Sequence, residues 1–295
     1  MKRRFFTLDV FTDKALCGNP LAVVLDSEGL DSDMMQRIAG EFNLSETVFV
    51  MPPEDKNNRA KIRIFTPGRE LPFAGHPTVG TAVLLSHLDG LEDGAELVLE
   101  ENVGLVPCRV SANSASFELP KLPVRKEADL DVELMAKTLG LAPSDIGIEG
   151  HSFAACNAGV PFPTLPLASL KALQSIHLNA PLLTQHNVPR GLEDEIYVYS
   201  KETLATDADY QARMFAPAMG IPEDPATGSA VAGLAGQIMA CEKPEDGEHK
   251  FVIDQGIEMG RSSRILLDLF VEGGQLKSAY IVGGAVIVSD GILNL

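Results

Sequence analysis

Two segments of this sequence consist almost entirely of small and apolar residues, and each begins beside a glycine. They cover residues 74–84 and 227–237, and laying one over the other places Gly75 on Gly228. A helix that is apolar on nearly every face must be buried on nearly every face. We therefore expect each half of the chain to wrap a sheet around one central helix, as an internal duplication would produce.

The remainder of the chain favours many short strands and few helices. This pattern predicts an α+β fold rather than regular βαβ winding. The main predicted strands cover residues 3–10, 21–25, 47–51, 61–66, 96–100, 104–110, 116–119, 211–215, 251–255, 264–271, 276–282 and 285–289. The main predicted helices cover residues 31–42, 77–88, 131–139 and 229–240, and Asp31, Ser32 and Asp33 supply capping oxygens to the first of them.

A domain boundary is predicted near the middle of the chain. Residues 119–126 carry two prolines and a cluster of charges between two structured stretches. The 295 residues are enough for two domains of about 150 residues each. The first domain is therefore expected to end at residue 118 and the second to begin at residue 119.

The charge balance excludes two classes of partner. Lys plus Arg number 24 and Asp plus Glu number 41, which gives a net charge of −17. Such a surface repels phosphate backbones and anionic lipids, so we expect no nucleic acid and no membrane among the partners. The 4 cysteines and 6 histidines are scattered, with no CxxC and no HExxH. We expect a reduced, cytoplasmic protein without a metal.

The starts of the two central helices are candidate anion sites. Free N–H groups and a partial positive charge at a helix start can hold a carboxylate, and glycine allows a ligand to approach the backbone closely. Gly75 and Gly228 would then bind a substrate carboxylate, and the Ser229 hydroxyl would donate to it. Alternatively, the glycines only terminate loops and the serine only caps its helix. The local sequence leaves both interpretations open.

Four side chains are candidates for moving or holding protons. His76 titrates near neutrality when unperturbed, although a single histidine is more often a capping or core residue. Asp224 precedes a proline in a turn, where a solvated carboxylate is also expected. Glu46 lies where a helix gives way to an apolar strand, and desolvation there would suit it to acid–base work. Glu70 competes with it, and the local sequence does not choose between the two carboxylates.

Several motifs occur together and in a fixed order. They cover residues 17–24, 45–47, 73–80 and 223–230, followed by Gln255-Gly256 and residues 259–261. Together they closely resemble the PhzF family of phenazine-biosynthesis-like isomerases, from the first strand to the last. The resemblance implies a diaminopimelate-epimerase-like fold of two pseudo-symmetric domains, each a curved sheet or barrel around a central helix, with the active site in the cleft between them.

The resemblance also implies an organisation and a chemistry. The final strand returns to the first domain, so residues 284–295 join residues 1–118 and leave 119–283 as the second domain. A homodimer is implied as well. The implied activity is isomerisation of trans-2,3-dihydro-3-hydroxyanthranilate by a proton shift, without metal or organic cofactor.

The family's site residues fall on Glu46, His76, Asp224 and Ser229. Related epimerases carry a cysteine at each central-helix start, whereas this sequence has His76 and Ser229 there, which disfavours a two-thiol mechanism. We therefore expect a cofactor-independent isomerase of a small carboxylate-bearing metabolite. Glu46 would take the proton, while His76 and Asp224 would position the substrate and relay protons. The alternative is a non-catalytic ligand-binding or interaction protein that keeps the same cleft.

Overall fold

A computed structural model describes residues 2–295 and divides the chain into two compact units. The first unit holds the chain up to Pro120 and again Ile281–Leu295, and the second holds Lys121–Tyr280. The strands are β1 Lys2–Val10, β2 Asn19–Val24, β3 Glu46–Met51, β4 Ala60–Phe65, β5 Glu70–Leu71, β6 Glu96–Glu101, β7 Gly104–Ser111, β8 Ser114–Glu118, β9 Val124–Glu127, β10 Ala154–Asn157, β11 Pro161–Pro166, β12 Ile196–Ser200, β13 Tyr210–Ala216, β14 Ile221–Asp224, β15 Gly247–Gln255, β16 Ser263–Glu272 and β17 Gln275–Asn294. The α-helices are α1 Ser32–Phe42, α2 Gly75–Asp89, α3 Val132–Leu139, α4 Leu170–Gln174, α5 Ala180–Asn187 and α6 Gly228–Cys241.

The first unit contains a closed β-barrel. Strand β17 pairs with β1, and the pairing continues through β2, β3, β4, β6, β7 and β8. Strand β8 pairs with β17 in turn, which closes the ring. Closure leaves no strand edge in this ring unpaired.

Helix α2 fills the barrel. Every residue from Gly75 to Ser86 is buried, and the helix contacts β1, β2, β3, β6, β7 and β8. Gly80 is required for this approach, because a Cβ there would lie 2.6 Å from Leu21 Cδ2 and 2.7 Å from Val10 Cγ2. The prediction of a central helix that is buried on nearly every face is confirmed for this unit.

The second unit repeats the pairing order of the first. Strands β10 to β13, β15 and β16 pair in the sequence antiparallel, parallel, antiparallel, parallel, antiparallel. Strands β1 to β4, β6 and β7 pair in the same sequence. Helix α6 contacts β9, β10, β11 and β16, and Gly228 and the stretch 230–238 are buried. The shared order supports the duplication that the two small-residue segments indicated.

Each unit also carries an arginine–glutamate pair at the same place in this order. Arg63 on β4 donates two hydrogen bonds to Glu70 on β5, at 2.7 and 2.6 Å. Arg213 on β13 donates two to Glu223 on β14, at 2.8 and 2.8 Å. In both units the guanidinium carbon lies over the phenylalanine ring two residues further on, 5.0 and 4.9 Å from its centroid. Such bidentate, stacked pairs fix the strand that leads to the central helix.

The α+β fold class is confirmed, and some element predictions are wrong. Residues 276–282 and 285–289 belong to the single strand β17. The glycines between them do not break the strand, because they make room for the loop after β1: a Cβ on Gly283 would collide with the Phe11 ring. Strand β14 was not predicted within the proline-rich stretch 217–227. The cap of α1 is confirmed, since Asp31 Oδ1 accepts the N–H of Met34 at 2.8 Å.

Candidate active site

Glu46 is the first residue of β3. Helix α1 ends at Phe42, and Asn43 takes the left-handed conformation that turns the chain out of the helix. Strand β3 then runs parallel to β2, with Leu21 opposite Glu46. The Glu46 side chain is 13% exposed, and the next three residues are fully buried. The carboxyl group therefore lies at the margin of the barrel core, as the sequence led us to expect.

His76 is the second residue of α2, and its ring is 5% exposed. Its Nε2 lies 3.3 Å from Oε2 of Glu46. Burial lowers the pKa of His76 to about 3, because the cationic ring would lose its hydration. The imidazole is therefore neutral at neutral pH.

A neutral imidazole beside a carboxyl group restricts where the protons lie. The two atoms are 3.3 Å apart and do not meet the geometry of a hydrogen bond to each other. Two facing lone pairs would repel, so a hydrogen bond formed between His76 Nε2 and Glu46 Oε2 needs one proton between them. Either Nε2–H faces an ionised Glu46, or a protonated Glu46 faces the bare nitrogen. Histidine is neutral in both arrangements; they differ by one proton on Glu46 and by the tautomer of His76, whose proton lies on Nε2 in the first and on Nδ1 in the second. That is the property an acid–base pair needs.

The start of α2 leaves its backbone N–H groups without a side-chain cap. Its N-cap residue is Ala74, which makes no capping hydrogen bond. The first N–H groups of a helix have no partner within the helix, and the helix dipole adds partial positive charge there. The backbone at Gly75 is therefore suited to bind an anion beside the ring of His76.

In the second unit, Asp224 is held at the end of β14. Thr227 Oγ1 donates to Asp224 Oδ2 at 2.5 Å. Gln255 Nε2 donates to the Asp224 carbonyl at 2.8 Å and to Thr227 Oγ1 at 3.0 Å, while Gln255 Oε1 accepts the Thr227 N–H at 3.2 Å. Asp224, Thr227 and Gln255 are all buried. The solvated turn carboxylate that we considered for Asp224 does not describe this position.

Gly228 and Ser229 begin α6 directly after this loop. The N-cap residue Thr227 makes no capping hydrogen bond, because its hydroxyl is engaged by Asp224 and Gln255. Ser229 is partly exposed while its neighbours in the helix are buried. The structure thus groups Glu46, His76 and Gly75 in the first unit, and Asp224, Gly228 and Ser229 in the second.

Glu70 has a different environment from Glu46. Besides the two hydrogen bonds from Arg63, it accepts one from Asn102 Nδ2 at 2.8 Å. The hydrogen bonds from Arg63 hold the pKa of Glu70 below its usual value. A carboxylate whose oxygens are occupied in this way is a poor proton acceptor. The geometry favours Glu46 as the base.

Sequence reasoning from the residues did not identify Thr227 and Gln255 as supports of the site. Gln255-Gly256 is one of the motifs quoted for the family resemblance, and the structure gives a physical reason for the glycine. Gly256 has φ +74°, and a Cβ there would lie 2.5 Å from the Pro225 carbonyl oxygen and 2.6 Å from that of Arg261. The chain can approach the Asp224 loop this closely only with glycine at that position.

A second His–Glu contact lies in the second unit, where His151 Nε2 is 3.5 Å from Glu242 Oε1. Thiols and metal ligands are the remaining candidates. All four cysteines are free thiols, and burial raises the pKa of Cys108 and takes that of Cys156 to about 11. Among residues 2–295, no three His, Cys, Asp or Glu side chains are grouped as metal ligands would be. Across the same residues, none of the helices has the length and apolar character that crossing a membrane requires.

Similar proteins across the whole chain are named as isomerases. The chain is 49% identical to a protein of Mesorhizobium japonicum named an uncharacterized isomerase, across 99% of this chain and 98% of that protein. It is 34% identical to trans-2,3-dihydro-3-hydroxyanthranilate isomerase of Pseudomonas aeruginosa, across 98% of both. The expectation of an isomerase is confirmed at this level.

The family follows from two further matches. Residues 8–291 match the family model described as phenazine biosynthesis-like protein, PhzC-PhzF. The crystal structure of a Bacillus anthracis phenazine biosynthesis protein of the PhzF family superposes with a TM-score of 0.91, at 27% identity and over the whole of both chains. This protein belongs to the PhzF family.

Proposed function

We propose that this protein is a cofactor-independent isomerase that shifts a proton within a small carboxylate-bearing substrate, with Glu46 as the base. The observation that carries the proposal is the position of the Glu46 carboxyl group, 3.3 Å from the neutral ring of buried His76. A carboxylate at the margin of a core loses part of its hydration, and it becomes a stronger base there than in water.

In the proposed reaction, ionised Glu46 removes a proton from a carbon next to an unsaturated system. The electron pair moves into the unsaturated system, and a proton returns at another atom of the same skeleton. The proton on Glu46 can be returned directly, or His76 Nε2 can deliver its own proton and be recharged by Glu46. No atom is gained or lost, so the product is an isomer of the substrate.

Residues of the second unit are also given roles. We assign Asp224 to positioning the substrate and relaying protons, and the Ser229 hydroxyl to donating to the substrate carboxylate. The uncapped backbone at Gly75 and at Gly228 would add N–H donors, since a helix start can hold an anion without an arginine. The hydrogen bonds of Thr227 and Gln255 support this role, since they hold Asp224 in one orientation.

The substrate class is a small organic acid with an acidic C–H bond next to a double bond. A relative of 34% identity is named for trans-2,3-dihydro-3-hydroxyanthranilate, which is such an acid. That compound is therefore the first probe for this enzyme.

The test is deuterium uptake from D2O by this probe, followed by NMR, with protein treated beforehand with a chelator. Wild type should incorporate deuterium with or without the chelator. Glu46→Gln should lower kcat by about 10²- to 10⁴-fold with KM largely kept. Glu70→Gln is the matched control and should retain most of the turnover per folded molecule.

Two outcomes would contradict the proposal. Deuterium uptake at the wild-type rate by Glu46→Gln, together with its loss in Glu70→Gln, would show that Glu46 is not the base. Saturable binding of several unsaturated carboxylates without deuterium uptake into any of them would favour a ligand-binding protein that lacks turnover.

A further inference from the structure

A second carboxyl group lies buried beneath the first turn of α2, away from the pair described above. Glu101 is the last residue of β6, and its side chain is 8% exposed. Its Oε1 lies 2.8 Å from Oγ1 of Thr78. Among the described residues, its Oε2 has no hydrogen-bond partner. A buried ionised carboxylate with one unpartnered oxygen would be costly.

The hydrogens available at Thr78 decide the protonation of this group. Thr78 Oγ1 is also 2.8 Å from the carbonyl oxygen of Ala74. A threonine hydroxyl has one hydrogen, so it cannot donate to both Ala74 and Glu101. Both short contacts are satisfied together when Glu101 carries a proton and donates to Thr78, which then donates to Ala74.

The surroundings of Glu101 agree with a neutral group. Burial raises the pKa of Glu101 to about 8. Glu101 interacts electrostatically with the Cys108 thiol on β7. A thiol is never cationic, so it does not stabilise an ionised Glu101. Lys61 on β4 acts on Glu100 instead and forms its ion pair with Glu54. The α2 side chain that acts on Glu101 is the uncharged hydroxyl of Thr78, whose hydrogen bond lowers the pKa of Glu101 by less than burial raises it.

We propose that Glu101 is a positioning residue that carries a proton at neutral pH and, through Thr78, fixes the first turn of α2. That turn begins at Gly75 and contains His76. Ionisation of Glu101 takes the Thr78 hydrogen away from Ala74, so the turn loosens as pH rises. The protonation of Glu101 stands on this geometry alone, whereas its effect on turnover rests on the proposed function.

The first test is the pH dependence of unfolding in wild type and Glu101→Gln. The pKa of Glu101 is raised in the folded state, to about 8, from about 4.3 in the unfolded chain. The folded protein therefore holds the extra proton between these values, and the stability contributed at low pH is lost as pH rises through that window. The unfolding equilibrium constant of wild type, relative to the glutamine variant, should rise about tenfold per pH unit there and level off above pH 8.

Glu100→Gln is the matched control. Glu100 is the preceding residue, and folding lowers its pKa whereas it raises that of Glu101. A hydrogen bond from Asn58 and backbone hydrogen bonds from Glu54 and Asp55 lower the pKa of Glu100. Its stabilising contribution is present above the unfolded pKa and is lost as pH falls. The unfolding equilibrium constant of wild type divided by that of Glu100→Gln should therefore not change between pH 5 and 8. If the same ratio for wild type and Glu101→Gln did not change either, the proposal would be overturned.

Infrared spectroscopy of wild type provides a measurement that does not depend on a variant that folds. A protonated carboxyl band should be present at pH 6.5, persist in Glu100→Gln and in Glu46→Gln, and disappear with a midpoint near pH 8. Absence of such a band at pH 6.5 would also overturn the proposal.

Turnover then tests the positioning role. The kcat of wild type should fall above about pH 8 while KM changes little, and Glu101→Gln should remove that decline. Thr78→Val should lower kcat at every pH, and Thr78→Ser should restore it. A wild-type protein without turnover would remove the proposed function but leave the unfolding result intact. If kcat of Glu101→Gln declined above pH 8 as in wild type, the positioning role of Glu101 would be refuted, while its protonation would still be tested by the unfolding and infrared measurements.

Discussion

The starts of the two central helices share an architecture and differ in chemistry. Both follow a strand held by a bidentate Arg–Glu pair, and neither is capped by the side chain of its N-cap residue. At the start of α2 the side chains are titratable, namely the partly exposed Glu46 and the buried His76 and Glu101. At the start of α6 a hydrogen-bonded loop holds one carboxylate beside a serine. Under the proposed function, the start of α2 would supply the base, and the start of α6 would mainly hold the substrate.

The sharpest test of this division is to remove one side chain from each helix start. His76→Phe should lower kcat by about 10²- to 10⁴-fold, because a proton carrier beside Glu46 is lost. Ser229→Ala should mainly raise KM, by about tenfold or more, because one hydrogen bond to a charged group is worth about 1.5–3 kcal/mol. Steady-state kinetics of both variants on one substrate measures the split. A lower kcat with unchanged KM in Ser229→Ala would show that the division is wrong.

The two Arg–Glu pairs allow a comparison that is independent of activity. The side chains of Arg213 and Glu223 are 9% and 16% exposed, whereas those of Arg63 and Glu70 are 19% and 28% exposed. Glu223→Gln leaves the more deeply buried guanidinium uncompensated, so it should cost about 3–5 kcal/mol of unfolding free energy.

Glu70→Gln should cost about 1–2 kcal/mol, between the values for buried and surface pairs. Denaturant unfolding of the two glutamine variants gives both numbers. Equal losses would mean that water screens the two pairs alike, in spite of their different burial.

Anion binding tests what the helix starts have in common. Sulfate or a small carboxylate at 100 times its Kd should raise the unfolding free energy by about 2.7 kcal/mol. Backbone amide NMR should show the largest shifts at Gly228 and Ser229 or at Gly75 and His76. Saturable binding that moves none of these amides would remove the helix starts from the proposed site.

The smallest effects are expected from the thiols. Replacing Cys17, Cys108, Cys156 or Cys241 singly by alanine should leave kcat near the wild-type value, since neither helix start carries a thiol. The buried Cys108 and Cys156 should lose about 1 kcal/mol of unfolding free energy. A stably folded cysteine variant without turnover would revive a thiol mechanism.

The sequence was sufficient for features that depend on local pattern. The cap at Asp31 and the two buried helices were predictable, because capping and hydrophobic periodicity act within a few residues. Gly283 was misread as a strand break because the reason for it, the Phe11 ring, lies more than 270 residues away.

The local residues alone did not decide between Glu46 and Glu70. A choice from the residues required the knowledge that β4 and β5 are neighbours, which gives Glu70 its arginine. The partners of Glu101 were equally out of reach, since Thr78 lies on a helix and Glu101 on a strand more than 20 residues later.

Strand β17 has a consequence for how the chain is made. Strand β1 pairs along its whole length with β17, from Lys2 opposite Asn294 to Val10 opposite Ala285. The segment Lys121–Tyr280, which forms the second unit, separates the two paired stretches in the sequence. The free-energy cost of closing a loop grows only with the logarithm of its length, so this long-range pairing lowers the final stability little. It slows folding more, because contacts between residues far apart in the sequence form slowly. Until β17 is synthesised, β1 and β8 each keep a strand edge that lacks its partner, and such an edge is a site for aggregation.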